Sequence, residues 1–315
     1  MNATLTSNTL NSTLTALCMG LVIGLPSLGN GANLVQPDLT AKKVFVATPP
    51  YAVLVNGVLT PVNILNKPRA YDLVSNAFIN PATGVADAAY LQAWVSATSS
   101  QVSGAGITNA GIPGHIEKAG TRLMVRTVAG DQPVGGKCKA ELGSYPMPNR
   151  KKVYWDTEVQ LGSTEPGKAW ALTKNAVSPT MISQIQAEDG INPSLSIVAD
   201  TDSLNPARLA LSFNWRGGKA PKTTTVGRVN NISPNVPVRI VMEAYLDERE
   251  TANGGQGYWR AWVNGALAAS VVGPTLSSMA KLPHDWRLDA YMANDPCPND
   301  QNRVTYWSRA KILVD

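Results

Sequence analysis

A period of two constrains this chain more than any other feature. Val153, Trp155, Thr157 and Val159 alternate with Tyr154, Asp156, Glu158 and Gln160, and Ile240, Met242, Ala244 and Leu246 alternate with Arg239, Val241, Glu243 and Tyr245. Side chains on a strand point alternately to opposite faces, so each run predicts a strand with one face on a core. Tyr258-Trp-Arg-Ala-Trp-Val, Asn264-Gly265 and Ala-Leu-Ala-Ala read as strand, tight turn and strand. The chain closes on another apolar-rich run, Arg303 to Val314. From about residue 106 onward there are many such strands and no convincing long helix. Each strand has one face to bury, so the expected answer is two packed antiparallel sheets.

Composition agrees. Gly 26 and Pro 22 with 16% charged residues point to a loop-rich β protein. Trp155, Trp170, Trp215, Trp259, Trp262, Trp286 and Trp307 all lie after residue 150, enough for an independent core there. The net charge of +5 has no dense basic block behind it, only the triplet Arg150-Lys151-Lys152, so nucleic acid is not an expected partner. Cys18, Cys138 and Cys297 are too widely spaced to read a disulfide framework or metal site; Cys138 and Cys297 pair only if their strands adjoin.

The length of 315 residues allows more than one domain, and composition changes along it. Residues 1–37 carry no charged side chain. Their apolar run, Leu14–Leu25, is shorter than the about 20 residues a spanning helix needs, and no basic segment precedes it as in a secretory leader. The two readings are a buried element of an ordinary domain and a docking segment covered by a partner; the second is preferred. Residues 38–105 read as a small mixed module and linker, with a hairpin signal at Asn56-Gly57, a short amphipathic helix over 85–96, and a Ser/Gly-rich stretch near 99–106. Residues 106–315 form the main domain.

Several pieces of that domain, in order, resemble the jelly-roll (concanavalin-like) polysaccharide lyases of the heparin lyase I, alginate and glucuronan lyase type. They are Gly114–Arg126, Lys139-Ala-Glu141-Leu, Ser183-Gln184-Ile-Gln186, Asn192-Pro-Ser-Leu-Ser-Ile, Trp262-Val-Asn-Gly265 and Trp286-Arg287-Leu-Asp-Ala-Tyr291. The resemblance implies a mainly β chain, with a two-sheet jelly roll behind a small N-terminal anchoring module. It also implies a sugar groove on one sheet, with Lys139, Glu141, Gln184, Gln186, Tyr258, Trp262 and Arg287 as glycan contacts and Tyr291 as the catalytic candidate. Such lyases often carry Gln-Ile-His where this chain has Gln184-Ile-Gln186. β-Elimination needs a base at the proton beside a uronate carboxylate and donors that neutralise that carboxylate. An amide cannot be that base, which leaves Tyr291, provided Arg287 or Lys139 lowers its pKa.

Each residue has a plainer reading. Lys139, Glu141 and Arg287 could be exposed cross-strand charge pairs worth under about 1 kcal/mol each. Tyr291, Tyr258 and Trp262 could be core residues, and His115 and His284 exposed loop histidines. Asp200, Asp202, Asp295 and Asp300 could bind Ca²⁺, with no other cofactor expected. Three functions compete. The first is a tailed-phage virion protein (tail fibre or spike, baseplate or capsid decoration), a homo-oligomer or multi-copy component attached to other virion proteins through residues 1–37. It would bind host-surface polysaccharide and have no membrane span. The others are an active, secreted polysaccharide lyase and a purely structural jelly roll.

Overall fold

A computed structural model describes residues 34–47, 115–128, 130, 138–143, 147–162, 170, 179–187, 193–220, 222–280, 284–292 and 302–315, with short strands at 52–55, 58–61, 69–70 and 107–108. The chain parts into two units, Met1–Leu34 and Val35–Asp315. The apolar run Leu14–Leu25 and the helix expected over 85–96 lie outside the described residues. Among those described, no helix is long and apolar enough to cross a membrane.

The strands are β1 (Lys43–Val44), β2 (Val46–Ala47), β3 (Ala52–Val55), β4 (Val58–Pro61), β5 (Arg69–Ala70), β6 (Ile107–Thr108), β7 (Ile116–Ala119), β8 (Arg122–Thr127), β9 (Cys138–Gly143) and β10 (Lys151–Leu161). They continue as β11 (Thr180–Ala187), β12 (Leu195–Thr201), β13 (Leu209–Trp215), β14 (Thr224–Ile232), β15 (Pro237–Leu246), β16 (Tyr258–Val263), β17 (Ala266–Val272), β18 (His284–Met292) and β19 (Arg303–Val314). One sheet has the order β17-β16-β15-β10-β19-β8-β7, with β1 paired to β19. The other runs β14-β13-β12-β11-β18-β9-β6. The two short hairpin-like pairs are β2 with β5 and β3 with β4, the latter in the register Val55↔Val58 that the Asn56-Gly57 signal called for.

The two large sheets are antiparallel throughout and pack as a sandwich, as the alternation required. Val153, Trp155 and Val159 of β10, with Ile240, Met242 and Ala244 of β15, meet Leu211 and Phe213 of β13 and Trp286 and Leu288 of β18 in one buried cluster. Phe213 and Trp259 touch across it with ring centroids 5.9 Å apart. Burial of these rings is the main stabilising term, since each indole removes a large apolar area from water. The β16–β17 turn is made by Asn264 at φ 49° and Gly265 at φ 87°. Both central residues are left-handed, the geometry that matches the twist of the strands it joins. Cys138 in β9 is disulfide-bonded. Its strand neighbour across the ladder is Met292, five positions before Cys297.

Candidate functional site

The face that each strand turns away from the core follows from the same period of two. In β18, Trp286, Leu288 and Ala290 enter the core, so Asp285, Arg287, Asp289 and Tyr291 face out. In β9, Ala140 and Leu142 enter it, so Lys139 and Glu141 face out. β11 needs an irregularity to comply: its register slips between Met181 and Ser183 against both neighbouring strands. Beyond that bulge Ser183 accepts a bond from the core Trp286 indole (2.8 Å) and Ile185 is in the core, so Gln184 and Gln186 face out. Bulges beside functional positions re-aim side chains in this way.

Strand register then lines these residues up. Lys139 lies opposite Tyr291, and Glu141 opposite Asp289. Arg287 pairs with Gln184, Gln184 with Ser196, Ser196 with Asn214, and Asn214 with Thr225. The result is a polar row across β18, β11, β12, β13 and β14. At a strand spacing of ~4.8 Å it spans roughly 19 Å.

The denser end is a buried ionic network. Glu141, only 2% exposed, accepts from Lys139 Nζ (2.9 Å), Gln184 Nε2 (2.9 Å) and the Arg287 guanidinium (3.5 Å). Arg287 Nε also donates to both oxygens of the buried Asp285, at 3.1 and 2.9 Å. The reading of Lys139, Glu141 and Arg287 as exposed charge pairs is therefore replaced: Glu141 and Arg287 are buried, and the Glu141 carboxylate gathers both cations.

Two members of the network are left with spare acceptors. Asp289 is fully buried and, among the described residues, neither of its carboxylate oxygens has a hydrogen-bond partner; Gln184 Oε1 has none among them either. Burial, reinforced by the negative charge of Glu141 and only partly offset by Arg287, holds the Asp289 carboxyl well above the usual carboxylate range. Elsewhere in the chain, buried Asp247 shows the opposite arrangement. It receives Arg249 through both guanidinium edges (2.9 and 2.8 Å) and the Gln256 amide (3.0 Å), and the Arg249 bonds hold its carboxyl well below the usual range.

Tyr291 is half-buried beneath the Lys139 ammonium, which sits 5.6 Å from its ring centroid. Burial raises its phenol pKa, and Glu141 and Asp289 raise it further, against Arg287. The expected lowering by the nearby cations is not found, because burial, together with the neighbouring carboxylates, outweighs it. Gln186, where the resembling lyases often have histidine, is in register with Asp285.

Other sequence candidates lie elsewhere. Tyr258 and Trp262 are in the opposite sheet, on its outer face, where the Tyr258 hydroxyl donates to Glu243 (2.5 Å). A groove shared by these two aromatics and Gln184 is ruled out by that placement. His115 and His284 are buried rather than exposed, and His284 Nε2 accepts the Ser277 amide (3.1 Å). Asp202 is occupied by the backbone amides of Leu204 (2.9 Å) and Asn231 (2.7 Å), which lower its pKa, and Asp200 accepts the Thr201 amide (2.7 Å). Among the described residues no group of His, Cys, Asp or Glu is arranged to hold a metal; Asp295 and Asp300 lie outside them. Asp285, Asp289, Ser196 and Asn214 were not picked out by sequence reasoning. Counting by twos from Arg287 and Tyr291 puts both aspartates on their face.

No family model and no curated protein matches this sequence. Among solved structures, the fold is similar to an endo-β-1,4-glucuronan lyase from the fungus Trichoderma reesei (13% identity, 64% of this chain and 84% of that one, TM-score 0.43). It is also similar to an alginate lyase from Klebsiella pneumoniae (9%, 64% and 84%, 0.43). A third is a mutant of the alginate lyase Aly36B in complex with alginate tetrasaccharide (9%, 85% and 98%, 0.48). The chemistry of the site rests on its own residues.

Proposed function

We propose that the sandwich is a glycan-binding domain that meets a polysaccharide with the polar row on the outer face of the β14-to-β6 sheet. One observation carries this reading: a buried network on an outward-turned sheet face that keeps unused acceptors at Gln184 and Asp289. Leaving a buried polar atom unpaired costs about 1–3 kcal/mol, so such atoms ask for a ligand or another role. Sugar hydroxyls both donate and accept. A sugar hydroxyl that displaces the cover over Gln184 donates to its Oε1, while Asp289, sealed beneath the network, stays out of direct reach.

The finer reading is a tailed-phage virion protein, present in several copies, attached through residues 1–37 and displaying the sandwich to host-surface polysaccharide. Its support is the uncharged N-terminal sequence and the disulfide at Cys138, a bond that persists outside reducing compartments. Turnover is not favoured. Gln186 cannot take a proton, and the Tyr291 phenol is shifted away from the range of a base.

Binding of the full chain to an array of capsular and exopolysaccharides tests this. At least one glycan should bind, and Gln184→Ala should weaken it by tenfold or more with the fold intact by circular dichroism. Ultraviolet absorbance of unsaturated uronates should stay flat. A rising signal lost in Tyr291→Phe would establish a lyase instead. Absence of binding across the panel would leave a purely structural jelly roll.

A further inference from the structure

The outer face of the other sheet carries a separate feature. Residues Gln36–Thr40 lie along β10, β15 and β19 and wall a groove of about 600 Å³. That is within the ~300–1,000 Å³ typical of small-molecule sites. Its charged lining is Lys42, Arg239, Arg309 and Lys311 against Asp38 and Asp156, an excess of two positive charges. The wall is fixed locally, because Asp38 accepts both the amide (2.9 Å) and the hydroxyl (2.8 Å) of Thr40.

The centre of the groove is a shared clamp. Asp156 accepts Arg239 Nε on one oxygen (3.0 Å) and an Arg309 η nitrogen on the other (3.1 Å). One carboxylate thus holds two guanidiniums side by side. Asp156 takes one N–H from each, and the other guanidinium N–H groups have no acceptor among the described residues. Lys42 is already committed to Asp315 (2.6 Å), and Glu158, opposite both arginines in the ladder, accepts the Ser308 hydroxyl. The donors on offer are therefore those of the arginine pair. Leu39, Val44 and Leu313 supply an apolar border beside them.

Planar forks held in place by a third group lose little freedom when they take an oxyanion, and they take it bidentately. We propose that this groove binds a small ligand bearing a carboxylate or sulfate, with the anion bridging Arg239 and Arg309 and an apolar face resting on Leu39 and Leu313. The site is independent of the polar row on the opposite sheet. The lining has no aromatic ring on which a nucleic-acid base could stack.

Titration calorimetry on the full chain in 50 mM NaCl tests it, with trigalacturonate, a sulfated trisaccharide and neutral maltotriose as probes. One of the charged probes should bind, and which one does assigns the anion; maltotriose should not. The double variant R239Q/R309Q should weaken binding at least tenfold, as should raising NaCl to 500 mM. The single variants R239Q and R309Q, each of which keeps one arm on Asp156, serve if the double variant does not fold. Lys139→Ala and Gln184→Ala should leave this affinity unchanged, while Gln184→Ala weakens polysaccharide binding at the other face. The proposal is overturned if no probe binds at millimolar concentration, or if the arginine variants bind normally. It is equally overturned if maltotriose binds as well as the charged probes, if Lys139→Ala removes the signal, or if a short polyglutamate peptide outcompetes both sugars.

Discussion

The two outer faces of the sandwich are both polar, and they handle charge in opposite ways. On the β17-to-β7 sheet each described carboxylate meets a partner at the solvent's edge: Asp156 lies between Arg239 and Arg309, and Glu243 takes the Tyr258 hydroxyl with Arg260 at 3.7 Å. Arg239 and Arg309 are 39% and 40% exposed, so water screens those pairs. On the β14-to-β6 sheet Glu141, Asp285, Arg287 and Asp289 are all buried, Glu141 alone collects three donors, and acceptors remain unused. The lesson is that charge content alone does not locate a site. Incomplete pairing does, and it takes a different form on each face: buried acceptors on one and the spare donors of an arginine pair on the other.

The sharpest way to break this comparison is to remove one arginine from each face. Arg287→Ala takes away the guanidinium that both Asp285 and Glu141 use in the interior. Loss of one member of a buried ionic set typically costs ~3–5 kcal/mol. Arg239→Ala removes a partly exposed partner while Asp156 keeps Arg309, and should cost at most about 1 kcal/mol. Urea unfolding midpoints measure both. Equal losses would mean that the two faces are energetically alike and that burial is not the distinction.

Much of the contrast was legible in the sequence. The alternation through Val153–Gln160 and Arg239–Leu246 gives both sheets and their inward faces, because a strand with one apolar face has few other ways to bury it. The resemblance placed Lys139, Glu141, Gln184 and Arg287 at a shared site, and their strands do adjoin. Two things were not legible. Which sheet a strand joins depends on long-range pairing, so Tyr258 and Trp262 were assigned to a face that their strand does not belong to. Electrostatic sign also depends on three-dimensional neighbours. The cations Lys139 and Arg287 could be read beside Tyr291, but the opposing Glu141 becomes its neighbour only through the β9–β18 register. Asp289, two places before it on the same strand, was readable and passed over. The bulge at Met181/Ser183 has no marker in its residues.

The unused acceptors can be examined through pH. The folded chain holds the Asp289 proton to a higher pH than the unfolded chain does. Between the ordinary carboxylate range and the raised native value it therefore binds more protons than the unfolded chain, and its stability falls as pH rises. This contribution is complete below the unfolded carboxylate pKa and is lost as pH climbs through the folded one. Asp289→Asn removes the titration, so its stability should fall less over that window. The stability difference between variant and parent should therefore move in the variant's favour as pH rises through that window. A parent stability that rises with pH across this window, while that of Asp289→Asn does not, would show Asp289 ionised and paired.

The smallest expected effect on binding is on the opposite face, at Tyr258. Its hydroxyl donates to Glu243, and burial together with that carboxylate raises its pKa, so the phenol stays protonated throughout the working range. Tyr258→Phe deletes one hydrogen bond to a carboxylate that Arg260 also approaches. Glu243 is 9% exposed, so it is not sealed from water once the hydroxyl is gone. With Arg260 still beside the carboxylate, the net loss should lie at the low end for a hydrogen bond to a charged group, about 1.5 kcal/mol. Glycan binding should be unchanged, since this ring lies on the other sheet from Gln184. If Tyr258→Phe instead abolished glycan binding without altering the unfolding midpoint, the sugar would lie on the β17-to-β7 face, and the distinction drawn between the two faces would have to be reversed.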